Sequence, residues 1–218
     1  MLELEVNGKR ERIRVGLHIC QFYTQPAETV HTAAPFVRDG LQNGDRVWLA
    51  LAPERVQDLR TLLVADKVDY ESTIESGQLI VEADKASLLA EGRFDPYHLL
   101  SHHQALITRS INDGWQVLRT VLDFSWLAAG AATTDQLLKY EAAADAIFTF
   151  QNRPVVALVQ YRYSDLPEEV AVELLRLHPI SVVGKFIKRN PYFVDSEHYM
   201  VQMIRRGQQR RAPRAAAN

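Results

Sequence analysis

Hydrophobic and polar positions alternate over the first fifteen residues. LELEV and KRERIRV flank Asn7-Gly8, a two-residue turn signal, and the pattern predicts a small hairpin over 1–15. Beyond it, short apolar runs give way repeatedly to helical stripes. LHICQFY (17–23) reads as a strand. Pro26 to Leu41 reads as a helix, with Val30, Ala34, Val37 and Leu41 on one stripe and Pro35 as an expected kink or break. Arg46 to Leu51 is the next strand, a helix follows near 54–65, and QLIVEA (78–83) is a third strand. A helix near 95–112, a strand near 115–122, a helix over 134–150 and a strand over 154–161 continue the series. A helix over 166–177 and the apolar run ISVVGKFI (180–187) complete it.

Strands separated by helices of this length require crossover connections, and therefore a parallel sheet covered on both faces. The nearly continuous apolar run VVALVQY fits a strand buried on both sides. The fold class is α/β: a three-layer α/β/α domain with a mainly parallel sheet, plus the N-terminal hairpin. The main domain is expected over 16–194, with a basic C-terminal extension over 195–218 that is disordered from 205, where RRGQQRRAPRAAAN is low in complexity.

Composition narrows the function classes. The 218 residues are 47% hydrophobic and 24% charged, as in ordinary globular proteins. A net charge of −2, from 25 basic and 27 acidic side chains, argues against a nucleic-acid-coating role. Only the arginine-rich tail speaks for direct nucleic-acid binding, and it reads as a solvated segment. The single cysteine, Cys20, excludes an internal disulfide framework and a multi-cysteine zinc ribbon. No apolar run reaches the ~18 residues of a membrane span. The start MLELEVNGKRER is no signal peptide, so a cytoplasmic location is expected.

In an open parallel sheet, ligands sit beyond the carboxyl ends of the strands. Those ends carry Phe22-Tyr23-Thr24, Pro53-Glu54, Asp84, Asp123-Phe124-Ser125-Trp126 and Arg162-Tyr163, an aromatic and charged rim suited to a small-molecule pocket. The first strand-to-helix turn, YTQPAETV, lacks GxxxxGK[ST], and GxGxxG is also missing. Both absences argue against a nucleotide hydrolase working through a P-loop.

His18 and Cys20 lie two apart on a strand and share a face, with Cα atoms ~7 Å apart. They could form an activated nucleophile, a metal site or a redox sensor. With no third partner fixed, a packed thiol beside a hydrogen-bonded histidine is the simpler reading. Asp95, His98 and His102 share a helical face, with His103 nearer the apolar stripe. Lacking the HExxH glutamate and any further placed ligand, they read as surface and half-buried histidines. Glu141 and Asp145 fall within the apolar stripe of Leu137, Leu138, Ala144 and Phe148. A core-facing carboxylate costs several kcal/mol unless paired, and Arg119 is the natural partner for Glu141. That pair could fix helix to sheet or contact a ligand. No metal and no cofactor are assigned.

These segments also carry a family likeness. LHICQFY, FVRDGLQNGDRVWLAL (36–51), SGQLIVEAD (76–84) and EGRFDP (91–96) are joined by DGWQVLRTVLDFSW (113–126), LLKYEAAADAI (137–147), LLRLHP (174–179) and NPYF (190–193). In order and spacing, from Gly16 to Val194, they resemble the MEDS domain, the sensory domain of methanogens, methylotrophs and DcmR-type regulators. The resemblance implies a fold similar to KaiC and the RecA-like ATPases with the phosphate loop lost. It also implies sensing of small molecules, such as hydrocarbon derivatives, and relay to regulatory modules. Carried over by position, the ligand or signalling residues are His18, Cys20, Tyr23, Arg119, Trp126, Tyr140, Glu141, His178, Asn190 and Pro191. The chain departs from the family at Asp123, where a glutamate is common, and at VQYR (159–162), where a Cys-x-Tyr-Asp-like run is common.

The expected function is a non-catalytic sensory module that binds a small, largely apolar molecule and regulates a separate partner, a kinase, anti-sigma factor or DNA-binding regulator. Tyr23, Trp126 and Tyr163 would supply apolar contact, and Arg119 with Glu141 would orient or transmit. The stretches before residue 16 and after Val194 hold no recognisable output region. One alternative is a degenerate ATPase-like scaffold that acts through homo-oligomerisation without a ligand. Another is an enzyme using Cys20 and His18.

Overall fold

A computed structural model describes residues 2–6, 9–13, 16–127, 132–150, 154–184 and 186–211. Strands β1 (Leu2–Val6) and β2 (Lys9–Ile13) pair antiparallel from Leu2↔Ile13 to Val6↔Lys9, which is the predicted hairpin. Its Asn7-Gly8 turn lies outside the described residues.

The main sheet has seven strands: β3 (Leu17–Tyr23), β4 (Arg46–Ala50), β5 (Leu79–Glu82), β6 (Leu118–Asp123), β7 (Val155–Arg162), β8 (Ile180–Val183) and β9 (Phe186–Arg189). They lie in the order β5-β4-β6-β7-β3-β8-β9. All neighbours are parallel except β8 and β9. The apolar run 180–187 is therefore not one strand. Gly184 takes a φ of +56°, open to glycine, and the chain returns as an antiparallel edge.

Helices α1 (Pro26–Gln42), α2 (Pro53–Ala65) and α3 (Tyr70–Glu75) cover one face of the sheet. On the other face lie α4 (Pro96–Asn112), the short α5 (Phe124–Leu127), α6 (Thr134–Phe150), α7 (Glu168–Leu177) and α8 (Ser196–Arg211). The three-layer α/β/α architecture is as the periodicity predicted. The short α3, started by the Asp69 side chain accepting from Ser72 N, falls below the length that a periodic pattern reveals. Helix α1 continues through Pro35 without a break. The extension expected to be disordered from 205 continues as α8 through Arg211. That helix is tied to the core by the buried Tyr199, an anchor that low-complexity composition hides.

Strand alternation decides which side chain meets which layer. Along β3 and β7, His18, Cys20 and Phe22 with Ala157, Val159 and Tyr161 face α6 and α7. Ile19, Val156 and Leu158 face α1. Gln21 and Gln160 also face α1, where a buried amide chain fastens its first turns: Gln160 Nε2 donates to Gln21 Oε1 at 2.7 Å and to Thr29 O at 2.9 Å, and Gln21 Nε2 donates to Thr32 Oγ1 at 2.9 Å.

Candidate functional site

The turn from β3 into α1 occupies the place where a phosphate-binding sheet of this class grips its ligand. Here one carboxylate of the chain fills it. Glu28 Oε1 accepts from Gln25 N at 2.7 Å, Thr24 Oγ1 at 2.8 Å and Thr24 N at 3.2 Å. Partial burial works against ionisation, but these hydrogen bonds hold the Glu28 carboxyl below its ordinary range. The backbone donors that would cradle a phosphate are already engaged by an internal anion.

Next along the carboxyl edge, Tyr23 donates to Asp123 at 3.2 Å, and the Asp123 carboxylate also accepts from Ser125 N at 2.9 Å. Burial, aided by Asp123, pushes the Tyr23 hydroxyl up to about 12. Ser125 Oγ in turn accepts from Arg162 N at 2.6 Å. These bonds lock the ends of β3, β6 and β7 together.

A cavity of about 370 Å³ opens beside them, under the amino ends of α6 and α7. Phe124, Leu137, Tyr161 and Val170 make its apolar wall, while Arg162 and Asp165 sit in its polar part. Its volume is at the small end of ligand pockets. Trp126, Tyr23 and Tyr163, the expected apolar contacts, do not line this cavity. Trp126 is half-buried with Lys85 Nζ on its carbonyl at 3.3 Å, and Tyr163 is 51% exposed.

Behind the cavity wall lies a buried polar centre. Glu141 on α6 is fully buried over β3 and β7. Its Oε1 accepts a short hydrogen bond from the Tyr161 hydroxyl, and its Oε2 lies 3.2 Å from His18 Nε2 and 3.4 Å from His178 Nε2. Burial, then the neighbouring His178 and His103, lowers His18 far below its ordinary value. Burial, with Glu141 beside it, raises the Tyr161 hydroxyl and keeps its proton in place. Asn190, just after β9, donates to the Leu175 carbonyl and to the His178 carbonyl at 3.1 Å. It therefore positions His178 from outside the centre.

Cys20 is buried on the same strand face, and burial with nearby Glu141 raises its thiol pKa. That disfavours an activated nucleophile and fits the packed reading. Tyr140 pairs with the buried His103, whose Nδ1 lies 3.2 Å from the phenol oxygen. His103 was expected at most half-buried; packed edge-on against Trp48 and Phe148, it is pushed down to about 3 by burial and His102. Asp95 caps α4, His98 Nε2 lies 3.1 Å from Ser87 O, and His102 Nε2 lies 3.1 Å from Glu82. These three side chains therefore have separate partners.

The structure corrects the expected Arg119–Glu141 pair. Arg119 points to the α1 face, opposite to α6, because strand parity places it with Val121. It donates to Asp45 at 2.8 Å and to Phe36 O at 3.0 Å, near the amino edge of the sheet. Of the positions carried over from the family resemblance, the structure gathers His18, Glu141 and His178 at one point, with Cys20 on the same strand face, while Tyr140 pairs with His103. Tyr161 was missed as a functional residue; its signal was a polar end on an otherwise apolar run.

By fold the chain is a KaiC-like α/β domain. Flagellar accessory protein FlaH from Methanocaldococcus jannaschii superposes with a TM-score of 0.51 at 14% identity, covering 80% of this chain and 76% of that one. A KaiC-like protein from Pyrococcus horikoshii OT3 gives 0.54 at 14% identity, covering 78% and 71%. The chain belongs to the MEDS family (MEthanogen/methylotroph, DcmR Sensory domain), whose sequence pattern matches residues 17–179. The transcriptional repressor DcmR from Methylorubrum extorquens (strain DSM 6343 / CIP 106787 / DM4) is 26% identical over 163 residues. The match spans 74% of this chain but only 57% of the repressor.

Proposed function

We propose that the chain is a non-catalytic sensory module that binds a small, largely apolar molecule in the carboxyl-edge cavity and thereby regulates a protein partner. The observation that carries this reading is Tyr161. Its ring lines the cavity while its hydroxyl is bonded to the buried Glu141. A molecule that shifts the ring therefore perturbs α6, β3 and the end of α7 together, and packed elements answer such pushes by switching between discrete arrangements. Membership of a sensory-domain family and similarity to a repressor support regulation as the output. Among the described residues no helix is long and apolar enough to cross a membrane, which accords with a cytoplasmic setting.

Native mass spectrometry of the chain purified from its host, with ¹⁹F NMR against a panel of small fluorinated hydrocarbons, tests the reading. The exposed Thr134 lines the cavity mouth, so Thr134→Trp should weaken binding at least tenfold while leaving the fold intact. A wild-type chain that retains nothing, binds none of the panel and exists only as a defined oligomer would favour the ligand-free scaffold instead.

A further inference from the structure

Three ligating atoms converge in the polar centre from three separate elements. His18 Nε2, Glu141 Oε2 and His178 Nε2 lie within 4.8 Å of one another, all on side chains 0–1% exposed. The separations from His18 and from His178, 3.2 and 3.4 Å, both end on the same carboxylate oxygen. Ligands held about 2.0–2.1 Å from a tetrahedral zinc ion stand about 3.3–3.4 Å apart, the same spacing.

The hydrogen bonding around His178 sharpens the point. Its Nδ1 lies 2.7 Å from the Leu174 carbonyl oxygen. A carbonyl oxygen only accepts, so Nδ1 carries a proton, and Nε2 is the ring nitrogen turned towards Glu141 Oε2. It lies 3.4 Å from Glu141 Oε2, the carboxylate oxygen that Tyr161 leaves free by bonding to Oε1. His178 Nε2 and Glu141 Oε2 make no hydrogen bond among the described residues. A buried carboxylate oxygen facing imidazole nitrogens is stabilised by a positive charge held between them, either a proton or a metal ion. Metal-bound histidines hold the same posture, with the far ring nitrogen donating to a backbone carbonyl. Asn190 fixes the backbone on which His178 sits, and Phe148 packs edge-on against His18 at 5.3 Å, an apolar shell around the donors.

We propose that His18, Glu141 and His178 form a buried metal site of two imidazoles and one carboxylate, suited to Zn²⁺ or another first-row divalent cation. Two imidazoles and a carboxylate are a transition-metal donor set rather than one for Mg²⁺ or Ca²⁺. Closed from solvent, the ion would be taken up as the chain folds, and its binding would stabilise the folded state. Tyr161 would orient the carboxylate as an outer partner. The proposal does not rest on the sensory reading, since metal content and cavity binding are measured separately.

The test is metal analysis of the full chain, expressed in medium supplemented with zinc, iron and cobalt and purified without chelator. About one equivalent per chain is expected, falling below a tenth in Glu141→Gln and His178→Gln. Stripping the wild type with chelator should lower its melting temperature, and adding back Zn²⁺ alone should restore it. Cobalt(II) should give the visible ligand-field bands of a low-symmetry nitrogen–oxygen site. A wild type holding less than a tenth of an equivalent of every metal, with no cobalt bands, overturns the proposal in favour of a triad that shares protons. Full metal retention in folded Glu141→Gln overturns it equally, because the ion then sits elsewhere.

Discussion

A carboxylate with no route to water must find its donors among the side chains that happen to face it. Glu141 finds Tyr161, with two histidine nitrogens 3.2 and 3.4 Å from its other oxygen, and Asp45 finds Arg119. The second pair explains a glycine inside a helix. A Cβ at Gly40 would stand 2.6 Å from Arg119 Cδ and 2.8 Å from its Nε. The guanidinium is held by Asp45 and Phe36 O, and the arginine is fully buried, so the side chain cannot swing away. Gly40→Ala would gain helix propensity, by about 1 kcal/mol at most. Overpacking against a fixed neighbour costs about 1–3 kcal/mol, and more where a buried ion pair must shift. Urea unfolding should therefore show a net loss of stability, whereas a stabilised variant would mean that Arg119 does not run beside this helix. That Glu141 is anomalous was legible from the helical wheel alone. Its partners were not, because a wheel shows that a carboxylate faces the core but not which strand lies beneath it.

At the scale of elements, the start of α1 carries the clearest departure from a phosphate-binding design. Glu28 caps the turn from within, and its hydrogen bonds lower its carboxyl pKa. A folded-state pKa below the unfolded one adds stability that is present above the unfolded value and lost as pH falls through the folded value. Because Glu28 is half-exposed, its charge is worth about 1 kcal/mol or less. Glu28→Gln keeps the shape and removes the charge. It should be the less stable chain at pH 7, and the difference should shrink as pH falls below the ordinary glutamate value of about 4.3. A difference that persists or grows in acid would mean that the carboxylate does not act as the cap. The missing glycines and lysine were readable in YTQPAETV, but the substitution of an internal anion for an external one emerged only from the turn geometry. The hairpin of β8 and β9 was similarly hidden, since an apolar run does not reveal where it folds back.

For the whole molecule, the decisive fact is strand order. Alternating elements announced a parallel sheet and three layers, but β7 inserted beside β3 is what brings Tyr161 next to His18 and Cys20. The alternation within β6, by contrast, is what turns Arg119 to the other face. Long-range order of this kind is set by how crossovers pack, not by any local pattern. The resulting molecule has a KaiC-like sheet, caps the turn from β3 into α1 with Glu28, and places a cavity and the polar centre on the opposite face, between β7, α6 and α7. The proposed function is recognition and relay without turnover of nucleotide. Calorimetric titration of the pure wild-type chain with magnesium ATP, with released phosphate measured in the same samples, tests that most directly. The account predicts no binding heat and no phosphate above the buffer background; saturable binding with magnesium-dependent turnover would contradict it.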